Sequence, residues 1–280
     1  MTPRPPGVHD GIPDAEYHAD NDALSVSGAK WLLPPSTPAH FRWIRDHAEK
    51  TSDAFDFGHA FHRMVLGIGP EVQWIDADDW RTKAARQARI DARIAGEVPM
   101  LTKHRPPLQA MAASLHAHTL ASRLLDPDLG APEQSLYARD HDTGVMLRGR
   151  LDYLPHPTGR RMVLCDLKTA DSADPERFGR AAADYGYDMQ DAFYRDLVTR
   201  LKLDPDPAFV FVVIEKSPPY LVNVVQLNSD AQRIGRIKNR RAIRTYAECL
   251  TAGEWPGYPI DVNTAQLPGW YVRQFEEIIP

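Results

Sequence analysis

Two aspartates and a lysine in the middle of the chain have the types and spacing of a metal-assisted hydrolytic centre. Side chains alternate across a strand with period two. In MVLCDLK (162–168), read as a strand, Met162, Leu164, Asp166 and Lys168 share one face, and Val163, Cys165 and Leu167 the other. The second face is wholly apolar and belongs to the core, so Asp166 and Lys168 emerge together on the opposite face at the strand's end. In the preceding strand, VMLRGRLDYL (145–154), Arg148, Arg150 and Asp152 also share a face. A meander brings Asp152 within about one strand spacing, ~5 Å, of Asp166. Two carboxylates that close repel unless a cation sits between them. A hard divalent cation with oxygen ligands is the physical solution, with Mg2+ the cellular default and Mn2+ able to substitute. A lysine beside it can orient or deprotonate a water, or neutralise developing negative charge. Alone, a D-x-K triplet reads as a surface ion pair, with Asp152 paired to Arg150; the spacing across a hairpin is what raises it above that.

The elements around these residues alternate in period. Helical text runs from Ser25 to Arg45, interrupted at Pro34-Pro35. A helix is predicted over 53–66, capped by Ser52 or Asp53 and ended by Gly67. Further helices are predicted over 79–98 and 107–125. Strands follow at 135–140, 145–154 and 162–168, the first two joined at Asp142-Thr143-Gly144. Asp174-Pro175 starts a helix that breaks near Gly186 and resumes through Leu201. Strands at 208–215 and 220–227 precede a last helix, capped by Asp230, to about Leu250. This order predicts an α/β fold with a mixed central sheet flanked by helices. An irregular arm (1–16) precedes one domain (17–280), made of a helical part (17–130), a sheet–helix core (131–250) and a tail (251–280).

Composition narrows the function classes. At 280 residues, 43% hydrophobic and 25% charged, the chain can bury a core, and dominant disorder is excluded. The apolar run 208–214 is too short to span a bilayer, and the N-terminus lacks the apolar stretch of a secretory signal. Two cysteines cannot build a disulfide framework or a four-cysteine metal site, so a cytoplasmic setting is expected. A formal charge of −5 gives no general attraction to nucleic acid. Basic residues are nevertheless concentrated: seven Lys/Arg against two acids over 81–105, and six Lys/Arg with no acid over 233–244. Arg81, Lys83 and Arg86, and Arg236, Arg240 and Arg244, are the phosphate-contact candidates. In the last helix the basic stripe stands opposite Ile234, Ile243, Tyr246, Ala247 and Leu250. Trp31, Trp43 and Trp80 are expected in the core, with base stacking as the alternative.

LRGRLDYL followed by VLCDLKTA resembles the PD-(D/E)XK nuclease core, with aspartate where glutamate is commoner. YHADNDALSVSGAKWLL (17–33), FDFGHAFHRMVLG (55–67) and the stretch from Trp80 to Thr102 resemble the exonuclease VIII (RecE-type) group of phages and prophages. YDMQDAFYRDLV (187–198) is similar to the Q-x-x-x-Y helix of RecB-type nucleases. The likeness covers most of residues 15–275.

It implies metal ligation by His62, Asp152 and Asp166, one ion or two, with Lys168 beside them. It also implies 5′-to-3′ digestion of one strand of linear double-stranded DNA in a bacterial host cell, which leaves 3′ single strands for an annealing protein. A homo-oligomeric ring of three or four chains is implied as well. The residues themselves leave His59 and His62 in competition on an apolar helix face, and the F-G-x-x-x-H spacing favours His62. Gln190 and Tyr194 share a buried face with Leu197, Val198 and Leu201 at i, i+4, i+7, i+8 and i+11. They either make two internal bonds or support the ligands and the scissile phosphate. Glu133 is a possible further ligand or a solvated loop acid. One alternative is a catalytically silent DNA-binding module. Another is a RecB-type or CRISPR-adaptation nuclease lacking the iron–sulfur cluster, which two cysteines cannot hold. An enzyme acting on a small phosphorylated substrate would need a glycine-rich phosphate loop, which the sequence lacks.

Overall fold

A computed structural model describes residues 4–47 and 52–275. Residues 1–3 of the expected arm and 276–280 of the expected tail lie outside them.

The strands are β1 (Gly7–His9), β2 (Leu24–Ser25), β3 (Val72–Ile75), β4 (Val98–Leu101), β5 (Gly130–Arg139), β6 (Met146–Pro155), β7 (Val163–Ala170), β8 (Ala208–Glu215) and β9 (Val222–Val225). The helices are α1 (Asp14–Ala19), α2 (Val26–Trp31), α3 (Pro38–His47), α4 (Asp53–Leu66), α5 (Lys83–Ile94), α6 (Arg105–Ala117), α7 (Thr119–Leu124), α8 (Pro175–Tyr185), α9 (Tyr187–Arg200), α10 (Ser229–Ala252) and α11 (Gly269–Arg273). The main sheet has the order β1-β5-β6-β7-β8-β9, with β2 added beside β6; β3 and β4 form a separate parallel pair. In the main sheet β7–β8 and β2–β6 are parallel and the other pairs antiparallel. The α8–α9 crossover supplies the long connection that the parallel β7–β8 pair requires.

Period-two alternation sorts each strand between two cores. Phe209, Phe211 and Val213 of β8 pack with Met189, Phe193, Leu197 and Ile243 on the α9–α10 side. Val212 and Ile214 pack with Phe61, Leu108, Met111 and Leu115 on the α4–α6 side. Both faces of β7 are therefore covered. Leu164 belongs to the first core, and Cys165 and Leu167 to the second. This corrects the expectation of one core face: Asp166, only 2% exposed, lies within the molecule.

Several boundaries differ from those the periodicity gives. The helix expected over 79–98 is α5 alone, because Val98–Leu101 leaves it to pair with β3. The helix expected over 107–125 breaks at His118, whose side chain caps α7 by accepting from the Ala121 amide. Asn228, not Asp230, caps α10. Ser52 caps α4 and Gly67 ends it, as the sequence indicates.

Candidate active site

The site lies where the sheet splits. One edge of β6 is paired along its length with β5. Its other edge pairs with β2 at Leu147 and Arg148, and with β7 only at Tyr153↔Cys165. Between those points Asp152 stands at an open seam. The Leu167 amide of β7 donates to Asp152 Oδ2 at 2.7 Å, and the Leu167 carbonyl accepts from His62 Nε2 at 2.9 Å. Two functional side chains thus satisfy backbone groups at the seam, as buried peptide groups require.

Three ligand-type side chains converge there. His62 Nδ1 is 3.8 Å from Asp152 Oδ1 and 4.0 Å from Glu133 Oε1, and the three donor atoms lie within 4.8 Å of one another. His62 reaches the seam from α4, which buries Ala60 and Phe61, whereas Phe55 is 54% exposed. Glu133 sits inside β5, not in a loop before it. The ladder pairs Pro132 with Tyr153 and Gln134 with Leu151, which leaves Glu133 opposite Asp152. Glu133 has φ 52°, a left-handed conformation that is costly outside glycine and tends to persist where function demands it.

Asp166 and Lys168 approach from the α9 side. Lys168 Nζ is ion-paired with Asp166 Oδ2 and lies 5.1 Å from the Tyr187 ring centroid. Gln190 Nε2 donates to Asp166 Oδ1 at 2.5 Å, which makes Gln190 a positioning residue for that carboxylate. His62, Glu133 and Asp152 make the group of donors within 4.8 Å of one another; Asp166 lies outside that group but near enough to feel the Asp152 and His62 charges. Tyr194 is a core residue: a Cβ on Gly149 would come 2.8 Å from its ring. Its hydroxyl lies beside Gln190.

Burial and mutual charge set the protonation states. Burial works against charge on His62, but Asp152 and Glu133 outweigh it and push the imidazole up to about 9. Burial raises Asp152, against the pull of His62 and Lys168, and Glu133 adds to the rise. Burial and then the Asp152 charge push Asp166 up to about 6, against the pull of Lys168. Burial also disfavours the Lys168 ammonium, but Asp166 and Asp152 hold its pKa above the ordinary lysine value. Imidazole and carboxylate oxygens within one small volume suit a divalent cation.

Residues 25–266 match the family described as PDDEXK-like domain of unknown function (DUF3799). The chain belongs to this family. Among solved structures, the "Putative exonuclease" of Eubacterium rectale is 13% identical, covers 94% of this chain and 98% of its own, and gives a TM-score of 0.62. It shares the PDDEXK-like fold. A phage related exonuclease of Haemophilus somnus 129PT is 12% identical over 83% of this chain and 96% of its own, with a TM-score of 0.34. No curated protein matches.

The structure separates the basic candidates around this PDDEXK-like site. Arg240 is committed internally: its two terminal nitrogens donate to Asp140 Oδ1 and Oδ2 at 2.7 and 2.8 Å, and Asp140 is fully buried. It is a structural residue rather than a phosphate contact. Arg236 and Arg244 are exposed. Arg81 pairs with Asp79, Arg86 donates to the Trp80 and Arg81 carbonyls, and Lys83 is exposed. Arg89 and Arg93 bind Asp56, tying α5 to α4. Ile234 and Leu250 are exposed, and the buried face of α10 is Gly235, Asn239, Ala242, Ile243, Tyr246 and Cys249. Trp31 and Trp43, expected in the core, are 38% and 61% exposed, and Arg89 covers Trp80 at 4.7 Å. Among the described residues, no helix is long and apolar enough to cross a membrane.

Proposed function

We propose that the chain is a metal-dependent deoxyribonuclease acting on linear double-stranded DNA. The observation that carries this reading is the convergence of His62, Glu133 and Asp152 with the Asp166–Lys168 pair at one split in the sheet. His62, Glu133 and Asp152 would hold the cation, with Asp166 facing the same seam. A divalent cation bound there, Mg2+ or Mn2+, one ion or two, supplies Lewis acidity toward a phosphodiester and lowers the pKa of water. Lys168, kept protonated by its two carboxylate neighbours, suits neutralising the charge that develops on phosphorus better than deprotonating a water. Gln190 fixes the rotamer of Asp166. Exposed Arg236 and Arg244 would hold the backbone without reading sequence.

Digestion from 5′ ends, supply of 3′ single strands to an annealing protein, and a ring of three or four chains extend this reading by likeness to phage exonucleases. An apolar tail supports association: Ile260, Val262, Leu267 and Trp270 are each at least 60% exposed. The test is digestion of end-labelled linear duplexes and closed circles, with and without Mg2+. Release of label from linear DNA alone, and only with metal, is expected. Cleavage without metal, or equal attack on circles, would contradict it.

A further inference from the structure

Lys30, on α2, reaches the start of α9, where Tyr187 lies between it and Lys168 of the site. β2, the short partner of β6, runs directly into α2, which Ser25 caps by accepting from the Gly28 amide at 3.2 Å. Val26 and Ala29 bury the inner face of that helix, and Lys30 leaves it toward the start of α9. Its stem crosses Gly186, where a Cβ would come 3.0 Å from Lys30 Cε, in a residue already at φ 66°. Its ammonium donates to the Tyr185 carbonyl at 2.6 Å and lies 5.9 Å from the Tyr187 ring centroid. Lys168 lies 5.1 Å from the same centroid. Two ammonium groups therefore share one aromatic ring beside the seam.

Their partners differ. Lys168 is held by Asp166. Asp188, on the first turn of α9, is bound at 2.9 Å by Lys238 and does not serve Lys30. Among the described residues, Lys30 makes no ion pair; its one hydrogen bond is to a neutral carbonyl. Burial and then the Lys168 charge press it down to about 8. Like charges in a partly desolvated place favour the arrival of an oppositely charged group. A phosphodiester fits, since its two non-bridging oxygens can accept from two ammonium groups.

We infer that Lys30 is a phosphate-binding residue of this site, donating to a non-bridging oxygen of a substrate phosphodiester alongside Lys168. The inference rests on the nuclease reading for the identity of the anion. It adds a residue from α2 to a centre otherwise built from α4, β5, β6, β7 and α9.

The test compares wild type, Lys30→Met, which keeps the stem, and Lys30→Arg, which keeps the charge. Binding of a short linear duplex is measured by anisotropy in EDTA across a salt series, and kcat/KM in Mg2+. Lys30→Met should flatten the log–log salt slope by about 0.9, the share of one neutralised phosphate. It should also lower kcat/KM about 10- to 100-fold, as expected for a charged hydrogen bond. Lys30→Arg should restore the slope. Should Lys30→Met not fold, Lys30→Gln gives the same comparison with a polar, uncharged side chain. An unchanged slope in an active enzyme would overturn the inference, and any accompanying fall in rate would then belong to the packing against Gly186. A wild type that cuts nothing, with the slope still flattened in Lys30→Met, would remove the nuclease reading and leave the phosphate contact standing.

Discussion

His62 carries a proton that a bound cation must displace. With its pKa raised to about 9 by Asp152 and Glu133 against burial, it is an imidazolium at neutral pH, and only neutral imidazole is a ligand. The raised pKa stabilises the metal-free fold fully below about pH 6.5, and that contribution is lost as pH rises through 9. The rise of Asp166 to about 6 has the same sign, and its contribution is lost by about pH 6. Stabilisation by Mn2+, read as the shift in melting temperature, should therefore grow from pH 6.5 to pH 9. In His62→Ala that growth should vanish; its persistence would mean that His62 is not a ligand. Gln190→Leu removes the donor that favours ionised Asp166, so the acid limb of kcat/KM should move to higher pH. Much of this site can be read from strand alternation, which singles out Asp152, Asp166 and Lys168. The weight of Glu133 cannot, because the strand expected from the sequence begins at Ser135 and nothing in the residue type announces a positive φ. Lys30 lacks a signal altogether: its role depends on β2 meeting β6, a two-residue pairing too short to leave a period.

Among the elements, α10 shows how charge in sequence misleads. Its basic stripe divides between Arg236 and Arg244, which face solvent, and Arg240, which joins Arg200 on the buried Asp140 at the β5–β6 turn. Arg240→Met should cost about 3 kcal/mol in denaturant unfolding, since it weakens the pairing of a buried carboxylate. It should leave the salt slope of DNA binding untouched. Neutralising Arg236 and Arg244 together should do the reverse, flattening the slope by about 0.9 for each phosphate no longer neutralised. The same helix approaches α9 through Gly235, where a Cβ would lie 2.0 Å from the Asp188 carbonyl oxygen. Gly235→Ala must separate the two helices and should cost about 3 kcal/mol. That close approach explains why α9 is buried nearly all round: it lies between the sheet and α10, so no clean polar face marks it in the sequence.

Across the whole molecule, two apolar cores clamp a sheet that opens at the candidate site. Strand text and turn signals are enough to predict a mixed sheet, because β5 to β8 are long and alternate. The β3–β4 pair and the covering of both β7 faces are not legible, since each depends on segments far away in sequence. The exposed apolar tail predicts association, and sedimentation at micromolar concentration should give a species larger than one 31.5 kDa chain. A monomer that degrades long duplexes processively would remove the ring from the account. The seam itself is tested most directly by Asp152→Asn, which keeps the shape and removes one carboxylate charge. With linear duplex and Mg2+, the account predicts that the cleavage rate falls at least ~1,000-fold, equivalent to about 4 kcal/mol of transition-state stabilisation. The melting temperature of the metal-free protein serves as the folding control, since relief of a buried charge and loss of the His62 pairing oppose one another. A folded Asp152→Asn protein that cuts at the wild-type rate would contradict it.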